Sequence, residues 1–170
     1  MTSSSERRIA ILQAATRLFE HYGHAKTTIA DVAREAQVGV GTVYLEFDSK
    51  EAIVQALSRS THVAVLEAMH RASDGSFEPG ARLAAVLRAR TAAFLELRDR
   101  GPHACELVHC RAEGVLSAHQ RFRDDERALL EGIVRQGQRA GAFASCDPLE
   151  VARLIQRAYA SLSPPWIFSS

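Results

Sequence analysis

Several things are scarce in this chain of 170 residues: it has five prolines, one tryptophan, three cysteines and a formal net charge of only +1. Few prolines leave long helices uninterrupted. The odd cysteine count (Cys105, Cys110, Cys146) and the lack of an apolar leader in MTSSSERR predict reduced thiols in the cytoplasm, not a disulfide framework. No run of about 18 apolar residues exists, so no membrane span is expected. Alternating Val/Ile/Thr/Tyr runs are also missing, which argues against a sheet. The near-neutral balance gives no global attraction for nucleic acid, so only local clustering of charge can matter. There is no H-E-x-x-H zinc motif, and no Ser/His/Asp arrangement in a plausible context. The chain is therefore read as a non-enzyme, without a cofactor or a dedicated metal site.

What is present favours helices. Hydrophobic residues make up 46% of the chain, and Ala, Leu, Arg and Glu dominate. Ile9, Leu12, Ala15, Leu18, Phe19 and Tyr22 recur at helical spacing from about Glu6, and Gly23 is the expected stop. Thr28 is the expected cap of a second helix, with Asp31 completing a weak capping box. Gln37, Val38 and Gly39 read as a tight turn into a third short helix ending at Phe47. Ser49 caps a long fourth helix reaching about Ala72. Further helices are expected over about 79–98, 103–113, 117–139 and 148–162, the last opened by Pro148. The fold class is all-α: a flexible tail (1–5), a three-helix head (6–50) and a larger helical body (51–170).

The stretch VGVGTVYLEF, residues 38–47, sets the functional question. Glycine costs roughly 1 kcal/mol in a helix interior, yet Gly39 and Gly41 stand at the start of a short helix. Two short helices joined by a tight turn form a helix-turn-helix, whose second helix enters the major groove. Gly39 then suits the turn, and Gly41 lets the backbone approach a phosphate or base edge. Val43 and Phe47 anchor the helix, leaving Thr42, Tyr44 and Leu45 to project. Lys50 opposes the dipole at a helix start, a cost that a bound phosphate would reduce. Thr27 and Thr28 sit at another helix start and are candidate phosphate donors.

Motifs in register carry a family resemblance. They are A-x-x-L-F-x-x-x-G (Ala15, Leu18, Phe19, Gly23), T-T-I-x-D-V-A (Thr27 to Ala33), V-x-x-G-T-V-Y-x-x-F (Val38 to Phe47) and S-K-E (Ser49 to Glu51). Over about residues 6–57 the chain resembles the DNA-binding head of TetR-family transcriptional regulators. The resemblance implies a homodimer on a roughly palindromic operator, usually a repressor, whose body holds a cavity for a small-molecule effector. It also implies that Thr28, Gly41, Thr42, Tyr44 and Lys50 fall where the family contacts DNA, with Tyr44 and Lys50 on phosphates and Thr42 and Leu45 nearest the bases.

The sequence departs from the family at Gly39 and Val40, where Ser followed by Lys or Arg is frequent. Base readout is then sparse in hydrogen bonds, and Val40 and Leu45 are suited to thymine methyls. Glu46 is expected to face solvent or Arg34, and Arg7 and Arg8 to assist in the groove. The head carries seven Lys/Arg and seven Asp/Glu in residues 1–60, which predicts modest phosphate affinity.

In the body, Arg90 shares a stripe with Val86, Leu87 and Phe94. His62, His109 and Phe122 join Arg90 and Phe94 as effector-pocket candidates, suited to an apolar molecule with one polar or anionic group. Cys105, His109 and Cys110 offer an alternative as a thiol- or metal-responsive cluster. A helical adaptor is the other alternative. The apolar stripe of Val151, Leu154, Ile155, Ala158, Tyr159 and Leu162 is the expected dimer face. The family usually adds another long helix after it. Here SPPWIFSS follows, and its Trp166, Ile167 and Phe168 are expected to cover the body or join the dimer contact, unless the chain is shortened.

Overall fold

In the computed structural model, residues 4–75, 78–109, 113–164 and 166 are described. Seven α-helices lie among them: α1 (Ser4–Tyr22), α2 (Ile29–Glu35), α3 (Val40–Glu46), α4 (Lys50–Ser73), α5 (Pro79–Arg98), α6 (Glu113–Arg139) and α7 (Pro148–Ala158). Two short 3₁₀ segments, Ala104–Leu107 and Ala160–Leu162, complete the order. No strand occurs among the described residues, so the chain is all-helical. None of the described helices is long and apolar enough to cross a membrane.

The chain divides into two compact units. The first comprises residues up to 61 and 97–118, and the second 62–96 and 119–170. The first packs Ile11, Ala14, Ala15 and Phe19 of α1 against Val32 and Ala33 of α2, Val43 of α3, and Ile53, Val54 and Leu57 of α4. Phe47, Leu107 and Val115 complete this core. The buried stripe of α1 is thus rotated from the expected one: Ala15 and Phe19 are in it, whereas Ile9 and Tyr22 are exposed. Both stripes have helical spacing. On the buried face the small Ala14 and Ala15 lie between Ile11 and Phe19 and leave room for α2 and α3.

Local chemistry sets the helix ends. Gly23, with φ +81°, terminates α1 as expected, because glycine reaches the left-handed region without a Cβ penalty. At α2 both halves of the capping box form between Thr28 and Asp31. Ser49 Oγ accepts from Ala52 N–H at 3.1 Å at the start of α4. The turn before α3 differs from the expectation. Its left-handed residue is Gln37 (φ 56°), while Gly39 is extended at φ −70° and uses none of its extra freedom.

Residues 104–107 form a 3₁₀ turn instead of the expected α-helix over 103–113. In a 3₁₀ turn side chains three apart eclipse one another. Here His103 Nδ1 and Glu106 Oε1 meet at 2.7 Å, a contact that holds the tighter winding. Residues 110–112, and with them Cys110, lie outside the described residues. Helix α6 begins at Glu113, earlier than its expected start near Ser117. Helix α7 stops at Ala158, and the chain tightens into the second 3₁₀ segment.

The second unit buries Val65, Met69, Val86, Phe94, Phe122, Leu130, Ile133 and Val134. Of α7 it buries Ala152 and Gln156. Leu154 and Leu162 are exposed, and Val151 and Ile155 half-buried, so much of the apolar stripe on α7 faces away from the core of its own unit.

Candidate nucleic-acid interface

Helix α3 is short, and its two faces differ in chemistry. Val43 and Phe47 are buried in the core of the first unit. The opposite arc presents Val40, Gly41, Tyr44 and Leu45 to solvent, with Tyr44 52% and Leu45 86% exposed. Thr42 is half-buried at the edge. A Cβ built on Gly41 would meet nothing within 4 Å, so the glycine is not required by packing inside the chain. Its bareness leaves room for something outside.

The residues flanking α3 are tied into the protein. Thr27 is buried and its hydroxyl donates to Gly23 O at 2.9 Å. The Thr28 hydroxyl donates to Asp31 Oδ2 at 2.6 Å. The Thr28 N–H donates to the same oxygen at 3.0 Å, and these two bonds from Thr28 hold the Asp31 carboxyl below its ordinary range, with Arg34 adding to the effect. Lys50 Nζ donates to His24 O at 2.8 Å and to Thr27 O at 3.1 Å. Two backbone carbonyls therefore already compensate a cation at a helix start, a role the sequence reading gave to phosphate. Glu46 meets neither solvent alone nor Arg34. It accepts from Ser4 Oγ at 2.8 Å and lies 3.5 Å from Arg7 Nε. Arg8 donates to Glu46 O at 2.7 Å and lies over the Phe47 ring. Arg7 and Arg8 thus fasten the start of α1 to the end of α3, where a cation suits the helix dipole. Lys26, which the sequence reading passed over, is exposed beside Thr27 and makes no ion pair among the described residues. Its signal was a lone lysine next to the Thr-Thr pair.

A second anchor holds the same loop. Glu106 places Oε2 2.8 Å from His24 Nδ1 and Oε1 2.7 Å from His103 Nδ1. Burial raises the Glu106 carboxyl pKa, but the hydrogen bonds from His24 and His103 outweigh it and the net shift is downward.

Two short helices, a four-residue turn (36–39) and an exposed face on the second helix describe a helix-turn-helix. The pattern of the family described as "Bacterial regulatory proteins, tetR family" matches residues 11–57, and that of "Tetracyclin repressor-like, C-terminal domain" matches residues 79–170. The chain belongs to the TetR family. TetR-family relatives span most of its length. It is 29% identical to YhgD of Bacillus subtilis, described as an uncharacterised HTH-type transcriptional regulator, over 96% of this chain and 85% of that one. It is 31% identical to the HTH-type transcriptional regulator TtgR of Pseudomonas putida, over 81% of this chain and 70% of that one. A transcriptional regulator of the TetR/AcrR family from Thermobifida fusca shares the fold, with a TM-score of 0.74 at 24% identity, covering 92% of this chain and 84% of that structure. The chain is a DNA-binding transcriptional regulator of this family, whose members act as dimers and respond to small molecules.

The second unit of this TetR-family chain gathers four of the five expected pocket residues. His62, Phe94 and Phe122 are buried, with ring centroids 5.2 Å apart for His62–Phe122 and 5.8 Å for Phe94–Phe122. The Arg90 guanidinium lies 5.0 Å from the Phe94 centroid. His109 belongs to the first unit and is exposed there. Arg90 differs from the expected free cation. It is buried against Glu126, donating through Nε, while Nη1 donates to Leu162 O at 3.0 Å and Nη2 to Ser163 Oγ at 2.7 Å. Three of its five N–H groups are engaged and Glu126 neutralises its charge, so it is not a free cation awaiting an anion. The sequence reading missed Glu126, 36 residues from its partner.

The cysteine cluster gains no support. Burial and the neighbouring Glu106 carboxylate raise the Cys105 thiol pKa, which suppresses the reactive thiolate. Among the described residues no group of three His, Cys, Asp or Glu side chains is placed to hold a metal.

Proposed function

We propose that this regulator is a homodimeric repressor that sets α3 of each subunit in successive major grooves of a palindromic operator and leaves it when a small molecule binds the second unit. The observation that carries the reading is the two-faced α3: Val43 and Phe47 hold it down, and Tyr44 and Leu45 stand in solvent with no partner among the described residues. Leu45 and Val40 offer methyl contacts to thymine. The Tyr44 hydroxyl, Lys26 and the remaining N–H of Lys50 supply phosphate contacts, while Gly41 admits the backbone to the groove. Thr42 reaches a base edge from the rim of the helix, whereas Thr28, with its N–H and hydroxyl both donating to Asp31, holds the start of α2 in place. The exposed Leu154 and Leu162, with Val151 and Ile155 beside them, support α7 as part of the subunit contact. The seven Lys/Arg of the head are matched by seven Asp/Glu in residues 1–60, so both heads must bind together for useful affinity.

Selection of the purified chain against random duplexes at about 100 mM salt tests this directly. The expected result is a palindrome whose half-sites lie about one helical turn apart. Recovery of single, unpaired half-sites would remove the dimer, and recovery of no motif by folded protein would remove the docking of α3.

A further inference from the structure

The second unit contains a cavity of about 150 Å³ whose lining includes Arg90, Arg123, Glu126, Gln156, Ser163 and Trp166. Most polar atoms of its floor are committed. Glu126 Oε1 accepts from Arg90, and Glu126 Oε2 accepts from Gln156 Nε2 at 2.7 Å. Ser163 Oγ accepts from Arg90 and donates to Tyr159 O at 2.9 Å. Gln156 Nε2 also donates to Arg123 O at 2.8 Å. Both amide N–H groups of Gln156 are therefore used, and turning the amide over would set its oxygen against two acceptors. That fixes which end is left. Among the described residues Gln156 Oε1 is buried without a partner, in a residue only 6% exposed. Folded interiors rarely leave such an acceptor unmet.

The surrounding charge narrows what can fill the space. Arg90 and Glu126 cancel. The Arg123 guanidinium is half-buried and makes no ion pair among the described residues, so it gives the rim a positive charge. Trp166 is exposed at the same cavity and offers a flat apolar face. The volume equals that of about five liquid waters, enough for a single-ring molecule. We infer that this cavity binds a small monoanion carrying a hydroxyl or amino donor, which donates to Gln156 Oε1 while its negative end pairs with Arg123. The inference rests on the proposed effector response and specifies the effector's chemistry.

The test uses the full chain and para-hydroxybenzoate, which combines a donor, a ring and a carboxylate. Trp166 is the sole tryptophan, so its fluorescence reports occupancy, with calorimetry as a second readout. Expected is saturable binding, at least tenfold weaker for para-methoxybenzoate, which lacks the donor, and for phenol, which lacks the charge. Arg123→Gln should lose at least tenfold for para-hydroxybenzoate and nothing for phenol. Its side chain is on the rim and its backbone carbonyl survives, so folding is preserved. Equal affinity for the hydroxy and methoxy acids, an unaffected Arg123→Gln variant, or no saturable binding would each overturn the inference. Operator recovery without ligand binding sinks this inference alone. Ligand binding without operator recovery upholds it and sinks the docking reading.

Discussion

In the first unit the buried polar side chains among the described residues are two hydroxyls, Thr27 and Ser58; in the second they are His62, Arg90, Glu126 and Gln156. The ion pairs of the first unit, such as Arg17–Glu35 at 2.8 Å and Arg34–Asp31 at 2.6 Å, lie at the surface, where each contributes little. The Arg90–Glu126 pair has both side chains almost wholly removed from water. The lesson is one of purpose. A head that must present one fixed helix face is served by an apolar core. A ligand-responsive body needs polar groups inside, and accepts their desolvation cost.

The sharpest way to break this contrast is to unpair the buried ions. Glu126→Leu or Arg90→Met should each destabilise the second unit by about 3–5 kcal/mol, because the remaining group is left without its partner, while the double variant Arg90→Met/Glu126→Leu should recover most of the loss. Urea unfolding of the three variants checks this. Additive losses in the double variant would mean that the pair is not the interacting unit. In the head, changes on the exposed face of α3 should leave stability alone and alter DNA affinity, whereas changes at the helix starts cost modest stability. Tyr44→Phe should weaken operator binding by about tenfold, the value of one hydrogen bond, with an unchanged unfolding midpoint. Lys50→Ala should weaken it too, and should also loosen the loop that its ammonium clasps. Thr28→Ala should cost about 1 kcal/mol through loss of the α2 cap.

A pH titration sharpens the contrast further. The folded-state pKa of Glu106 is depressed, so its stabilisation is complete above the ordinary carboxylate range and is lost as pH falls through the depressed value. Glu20 acts in the opposite sense, because burial raises its carboxyl and Arg100 only partly offsets that. Glu106→Gln should therefore flatten the stability curve between about pH 5 and pH 3 relative to the parent, read by thermal unfolding. The smallest expected effect is a gain. Gln37→Gly should stabilise the head by up to about 1 kcal/mol, since the left-handed turn penalises a side chain with a Cβ.

What the sequence disclosed follows the same division. The head's caps at Thr28 and Ser49, the stop at Gly23 and the exposed face of α3 all depend on residues within one or two turns of each other, and local patterns report them. Gln37 was hidden because a glycine two positions on seemed the better candidate for the turn. The rotated stripe of α1 was hidden because two helical faces were nearly equal in apolar content. In the body, Arg90 meets Glu126 and Gln156 meets Glu126 across 36 and 30 residues, distances at which no periodicity speaks. The Glu106 bridge to His24 spans 82.

Asp31 acquires a further meaning from its bond to the Thr28 hydroxyl. The carboxylate takes both the N–H and the hydroxyl of Thr28 at the start of α2, so on the proposed docking the chain carries its own competitor for the DNA backbone. On that docking such a tenant would weaken attachment to every duplex by a similar factor, whatever its sequence. Against a chromosome made almost entirely of wrong sites, that would shorten each mistaken stay and return the regulator sooner to its search.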